Sequence, residues 1–169
     1  MELMEGILTR RSIRKFTDKP VSKEDINDLL KAAMQAPSAG NNQPWHFVVI
    51  DDRKILDKIP EFHPYSKMLK EAPVAILVCA KVTTEKYCDY WVQDCSAATQ
   101  NLLLAAHAKG LGAVWLGIYP IQERVVGITD LIGLPSDVVP LSLNAIGYPT
   151  EKKEPVDRFN KEKISYNKW

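Results

Sequence analysis

Cysteine is scarce and unevenly placed in this chain: Cys79, Cys88 and Cys95 make an odd count of three, with no Cys-x-x-Cys pair. A disulfide framework and a structural zinc site are excluded as organising devices, and a reducing cytoplasm is the expected compartment. Cys88 and Cys95 lie seven apart, on one face of a helix, and read as small packed hydrophobes rather than redox groups. Histidine is equally sparse. His46, His63 and His107 show no His-x-x-x-His or Cys/His spacing, so no metal is expected. An excess of one charge is also missing, since 22 Lys and Arg stand against 21 Asp and Glu for a net charge of +1. That balance gives no long-range field to gather nucleic acid or an anionic membrane, and any phosphate must be held by local contacts. Long apolar runs are absent too: residues 74–80 and 102–106 fall far short of the roughly 20 needed to cross a bilayer. The first six residues carry acidic Glu2 and Glu5 where a secretory signal needs a basic segment and then an apolar one, so no export is expected. Gly110-Leu111-Gly112 follows a helical pattern and lacks the third glycine of a dinucleotide fingerprint, and no internal repeat is visible.

What the chain does have is enough apolar residue, 46% over 169 positions, to bury one core, and the whole of residues 1–169 is expected to form one domain. Leu3, Met4, Ile7 and Leu8 fall at helical spacing over residues 2–9. Ser22 is placed to cap a helix whose first turn carries Glu24 and Asp25, whose apolar face is Ile26, Leu29, Leu30 and Ala33, and which stops before Pro37. Strands are expected over residues 46–50, 73–80, 112–119 and 138–148, and further helices over 52–59, 87–109 and 121–131, with Gly110 closing the long one. These elements describe a mixed helix-and-sheet core. From residue 150 the chain turns polar yet finishes on Tyr166 and Trp169, so the segment 150–169 is expected to rest its aromatics on another surface.

Two stretches carry chemistry. Arg10-Arg11-Ser12-Ile13-Arg14 offers guanidinium forks, a hydroxyl and backbone N–H donors, a set suited to a phosphate monoester; alone, such a cluster also reads as a solvated charge run. Pro37-Ser38-Ala39-Gly40-Asn41-Asn42-Gln43-Pro44-Trp45 has little regular propensity and is dense in amides and turn formers, the composition of a shaped loop.

Together these two stretches resemble the nitroreductase family, whose members carry an Arg-Arg/His-Ser-x-Arg/Lys element followed by Pro-Ser-x-x-Asn-x-Gln-Pro-Trp. The resemblance extends to Ala72-Pro73, to Lys109-Gly110-Leu111-Gly112-Ala113-Val114-Trp115-Leu116-Gly117, and to Gly147-Tyr148-Pro149 followed by Arg158, nearly the whole chain. It implies an α+β sandwich, with a mixed and mainly antiparallel sheet flanked by helices and FMN held at the interface of a homodimer. It further implies that Arg10, Arg11, Ser12 and Arg14 hold the FMN phosphate and ribityl chain, with Arg158 adding a phosphate contact. Pro37, Ser38, Ala39 and Asn41 of the other subunit would line the ring, and Trp115, Leu116 and Gly117 would run beside its reactive nitrogen. Lys67 is the nearest counterpart of a flavin-contacting lysine found in larger members. The asparagine that accompanies that lysine has no equivalent here, and the long helical insertions of larger members are missing.

The activity so implied is an oxidoreductase in which NADH or NADPH reduces FMN and the reduced flavin reduces a nitroaromatic, quinone or related conjugated small molecule by a ping-pong mechanism. No side chain is singled out as a catalytic acid or base. The reading from another class is a protein that stores or senses FMN without turnover. A nucleic-acid-binding role for residues 10–15 is disfavoured by the neutral balance of charge and the lack of any module signature.

Overall fold

A computed structural model describes residues 1–82 and 87–169, apart from the side chain of Cys88. Among them are five α-helices, α1 (Leu3–Thr9), α2 (Lys23–Met34), α3 (Arg53–Lys58), α4 (Trp91–Ala108) and α5 (Gln122–Ile132). Four strands, β1 (Trp45–Ile50), β2 (Val74–Lys81), β3 (Gly112–Gly117) and β4 (Val138–Gly147), pair antiparallel throughout in the order β1-β2-β4-β3. This is the α+β arrangement expected.

The central position of β2 follows from its composition. Residues 74–80 are all buried, which only a strand covered on both faces requires. Val74, Ile76, Val78 and Ala80 join one core with Leu29 and Ala33 of α2 and Cys95, Ala98, Leu102 and Ala106 of α4. Ala75, Leu77 and Cys79 join a second with Leu56 of α3 and Ile128 of α5. The period of two thus divides one sequence between two layers of helices. On β4, Pro140 cannot donate to a ladder, and it sits where the β2 register shifts between Val78 and Cys79, the place where a central strand tolerates proline.

Helix ends are fixed by the residues expected to fix them. The Ser22 hydroxyl accepts from the Asp25 N–H at 3.0 Å. Gly110 adopts φ +74° just beyond α4, and Lys109 bonds Asp25 and Asp28 at 3.0 and 2.7 Å, tying the end of α4 to α2. The expected helix over 87–109 is corrected at its start. Tyr87 has φ +71°, outside the helical region, and a single 3₁₀ turn over residues 88–90 precedes α4. Cys88 and Cys95 therefore do not share one helix; whether Cys88 packs concerns a side chain outside the described residues. Likewise β3 ends at Gly117 rather than residue 119, because the N–H groups of Ile118 and Tyr119 both turn to the Leu141 carbonyl.

Two parts of the chain leave apolar groups in solvent. On α1 only Gly6 is buried, while Leu3, Met4, Ile7 and Leu8 are exposed. The polar C-terminal segment is fastened as far as residue 156 and then leaves Phe159, Tyr166 and Trp169 uncovered.

Candidate functional site

The basic stretch is laid along the open edge of the sheet. Ser12 bridges Ala113 in parallel, and the Ile13 N–H donates to the Ala113 carbonyl at 3.0 Å. In an antiparallel ladder alternate residues turn both backbone groups to the same side, so Trp115 and Gly117 face away from β4 as Ala113 does. The Gly117 carbonyl agrees, accepting from His63 Nε2 at 3.1 Å and Arg124 Nη1 at 2.9 Å.

Against this edge lies a cleft of about 400 Å³ that gathers Arg14, Lys67, Trp115, Leu116 and Gly117 from three distant parts of the chain. Its charged lining, Arg14, Lys67 and Arg124, is cationic throughout. A Cβ placed on Gly117 would meet nothing within 4 Å, so the strand end opens onto free space rather than onto packed atoms. Backbone N–H groups at an open edge, a cationic rim and an apolar floor of Leu116 and Met68 together accept a flat, anionic, hydrogen-bonding ligand.

A second cleft, of about 510 Å³, lies between α1, the end of α4 and residues 149–155, and Arg10 and Arg11 line it. The half-buried Arg10 has its pKa lowered by burial and by the charges of Arg11 and Arg158. Arg10 thus carries the repulsion of two further guanidinium groups, which a bound anion would offset. Arg11, however, differs from expectation. Its guanidinium donates to the carbonyls of Leu8, Arg10, Glu154 and Val156, ending α1 and fastening the C-terminal segment. Lys153 Nζ reaches the Ser12 carbonyl at 2.8 Å, and the Glu151 carboxylate accepts from the Arg14 N–H, so the segment and the basic stretch brace each other.

The loop over residues 37–45 is elsewhere. Pro37, Ser38, Ala39 and Asn41 do not line the cleft with Arg14. The loop leads into β1, the strand at the opposite edge from β3, and the Asp94 carboxylate on α4 holds it by accepting the Ala39 N–H at 3.0 Å. Gly40, Asn41 and Gln43 all have positive φ, which glycine takes freely, asparagine tolerates and glutamine resists. The shape survives because Gln43 N donates to the Ser38 hydroxyl and its side-chain amide to Asn41 Oδ1.

Sequence reasoning missed His63, Tyr65, Met68 and Arg124, which complete the cleft. Only the proximity of His63 and Tyr65 to Lys67 in the chain hinted at them. The thiols of Cys79 and Cys95 are buried and pushed up to about 12, which leaves them protonated and inert.

The model of the nitroreductase family matches residues 7–63 and 61–148, spanning every element that builds the cleft. The chain belongs to the nitroreductase family. A protein of Methanothermobacter thermautotrophicus named "Putative NADH dehydrogenase/NAD(P)H nitroreductase" is 52% identical over all of this chain and 88% of its own length. A solved structure of that name from Parabacteroides distasonis superposes with a TM-score of 0.94 at 44% identity, covering 99% of this chain and 98% of that one. A nitroreductase-type structure from Desulfovibrio desulfuricans, solved in complex with FMN, has a TM-score of 0.85 at 33% identity over 100% and 98% of the two chains. The fold of this nitroreductase-family chain is thereby that of its relatives. No helix among the described residues is long and apolar enough to cross a membrane.

Proposed function

We propose that this chain is an FMN-dependent oxidoreductase of the cytoplasm that takes electrons from NADH or NADPH and delivers them to a nitroaromatic, a quinone or a related conjugated acceptor. The observation that carries the reading is the cleft on the open edge of β3, where Arg14, Lys67 and the outward backbone of Trp115 and Gly117 converge. Bound there, FMN supplies hydride chemistry that no side chain of this protein provides. The chain's own work is to bind, orient and polarise. N–H donors and cations at one ring edge favour the negative charge that the reduced cofactor carries, so they favour reduction. Arg10 and Arg158 are the guanidinium groups we assign to the phosphate, with Ser12 beside them, and Arg11 keeps their scaffold in place.

The active form in this reading is a homodimer. Pro37, Ser38, Ala39 and Asn41 are held on the side of α4, away from the cleft, so a second copy is the source from which that loop completes the site. The exposed apolar side chains of α1 and of residues 159–169 supply surface for the association, and the tail is assigned to packing on the partner.

One open face serving two reactants in turn gives ping-pong kinetics. Double-reciprocal plots against NAD(P)H at several acceptor concentrations are expected to be parallel. Lines that converge to the left of the axis would require a ternary complex and a separate nicotinamide pocket.

A further inference from the structure

We propose that His63 and Arg124 are positioning residues that brace the cofactor-facing end of β3 through a shared hydrogen-bond acceptor, the carbonyl of Gly117. The proposal rests on the FMN reading above and adds to it two residues that contact the strand rather than the ligand phosphate.

The two donors come from different elements. His63 follows the 3₁₀ turn over Ile59–Glu61, and Arg124 belongs to the first turn of α5; they meet the same carbonyl at 3.1 and 2.9 Å. Each is itself held. The Ser66 hydroxyl donates to the His63 carbonyl at 2.7 Å, and the Arg124 guanidinium lies 5.5 Å from the centre of the Tyr65 ring. The braced residue is the one that most needs it: Gly117 has no side chain to pack, nothing within 4 Å where one would be, and is the last residue of the strand. A carbonyl fixed from two sides fixes the residue whose backbone opens onto the cleft.

The chemistry of His63 argues for this role over simple packing. The ring is 1% exposed, and its Nδ1 is buried without a partner among the described residues. A leucine would fill similar space without stranding a polar atom, so the Nε2–H bond to Gly117 is what the imidazole offers at this position. Since a carbonyl can only accept, Nε2 carries the proton. Burial, followed by the charge of Arg124, lowers the pKa of His63, which keeps the ring neutral.

The test uses full-length His63→Leu, His63→Gln and Arg124→Met proteins. Glutamine places an amide N–H near the Nε2 position, whereas leucine and methionine place no donor. Flavin binding is followed by fluorescence titration with FMN and with riboflavin, and the bound flavin by its visible circular dichroism and midpoint potential. Because the brace acts at the ring, His63→Leu and Arg124→Met are expected to weaken both flavins alike, by about ten-fold, and to change the dichroism and potential. His63→Gln is expected to recover most of the loss. His63→Leu that binds both flavins as wild type does, with the same dichroism, overturns the proposal, as does His63→Gln no better than His63→Leu. If His63→Leu does not fold, His63→Met, which also lacks a donor, takes its place in the same two readouts, because Arg124 also lines the cleft as a cation and Arg124→Met removes that charge together with the brace. A wild-type protein that takes up neither flavin overturns the FMN reading itself, a result separable from failure of the brace.

Discussion

Replacing Arg158 with alanine is expected to act in opposite directions on the empty and the loaded protein. The pKa of the half-buried Arg10 is lowered by burial first, then by the charge of Arg11 and by that of the exposed Arg158. Removing the Arg158 charge relieves Arg10. Because Arg158 is exposed, that gain is small, within about 0.5 kcal/mol, and thermal melting of the FMN-free variant should show a midpoint equal to or slightly above wild type. The same change deletes a charge-assisted contact to the phosphate, worth about 1.5–3 kcal/mol, so FMN should bind roughly ten- to a hundred-fold more weakly. Riboflavin has no phosphate and should bind as before. Fluorescence titration with both flavins reads the difference directly. Equal losses for the two, or a clear drop in the stability of the FMN-free variant, would refute a role for Arg158 in holding phosphate.

A chain ending after Arg158 loses Phe159, Ile164, Tyr166 and Trp169, all exposed here. If these residues clasp a partner, sedimentation velocity should show a weakened dimer and FMN affinity should fall with it, since the two equilibria are linked; an intact dimer with full affinity would remove the tail from the interface. The Ser22 hydroxyl and then Lys109 hold the Asp25 carboxyl below its ordinary 3.8, Lys109 does the same for Asp28, and the two carboxylates raise the lysine. Depressed carboxylates add stability that is present above the unfolded-state pKa and lost as pH falls through the folded-state value, so the loss belongs below about pH 4. The raised Lys109 adds stability below its unfolded value of 10.5 that is lost only at strongly alkaline pH. Urea unfolding of Lys109→Met at pH 7 and pH 3 should therefore show a smaller pH dependence than wild type, and an unchanged one would mean that these pairs contribute nothing.

How much of this was readable in the sequence depends on whether a signal is local. Ser22 capped the helix it was expected to cap, and the unbroken apolar run of residues 74–80 became the doubly covered central strand, because capping and burial act within a few residues. Arg14, Lys67, Trp115, Leu116 and Gly117 line one cleft, although the resemblance groups Arg14 with Arg10, Arg11 and Ser12 around the phosphate and ribityl chain. Arg11 was legible as a donor but not in its occupation, since its four carbonyl acceptors lie partly in residues 154 and 156, more than 140 positions away. His63 and Arg124 carried no motif at all; what joins them is a carbonyl on β3, visible only once the strand is placed. The helix start at Trp91 was misplaced because Tyr87, an ordinary residue by periodicity, takes a left-handed backbone.

The central claim is that the open edge of β3 holds an FMN that NAD(P)H can reduce, and one anaerobic absorbance experiment tests it most directly. The full-length protein, reconstituted with FMN and freed of excess cofactor, should retain the yellow flavin bands, lose them on addition of NADH or NADPH, and regain them when a quinone or nitroaromatic is added. Protein that retains no flavin after reconstitution would contradict the binding site. Protein that retains flavin which neither nicotinamide bleaches would contradict the enzymatic reading and leave a protein that stores or senses FMN.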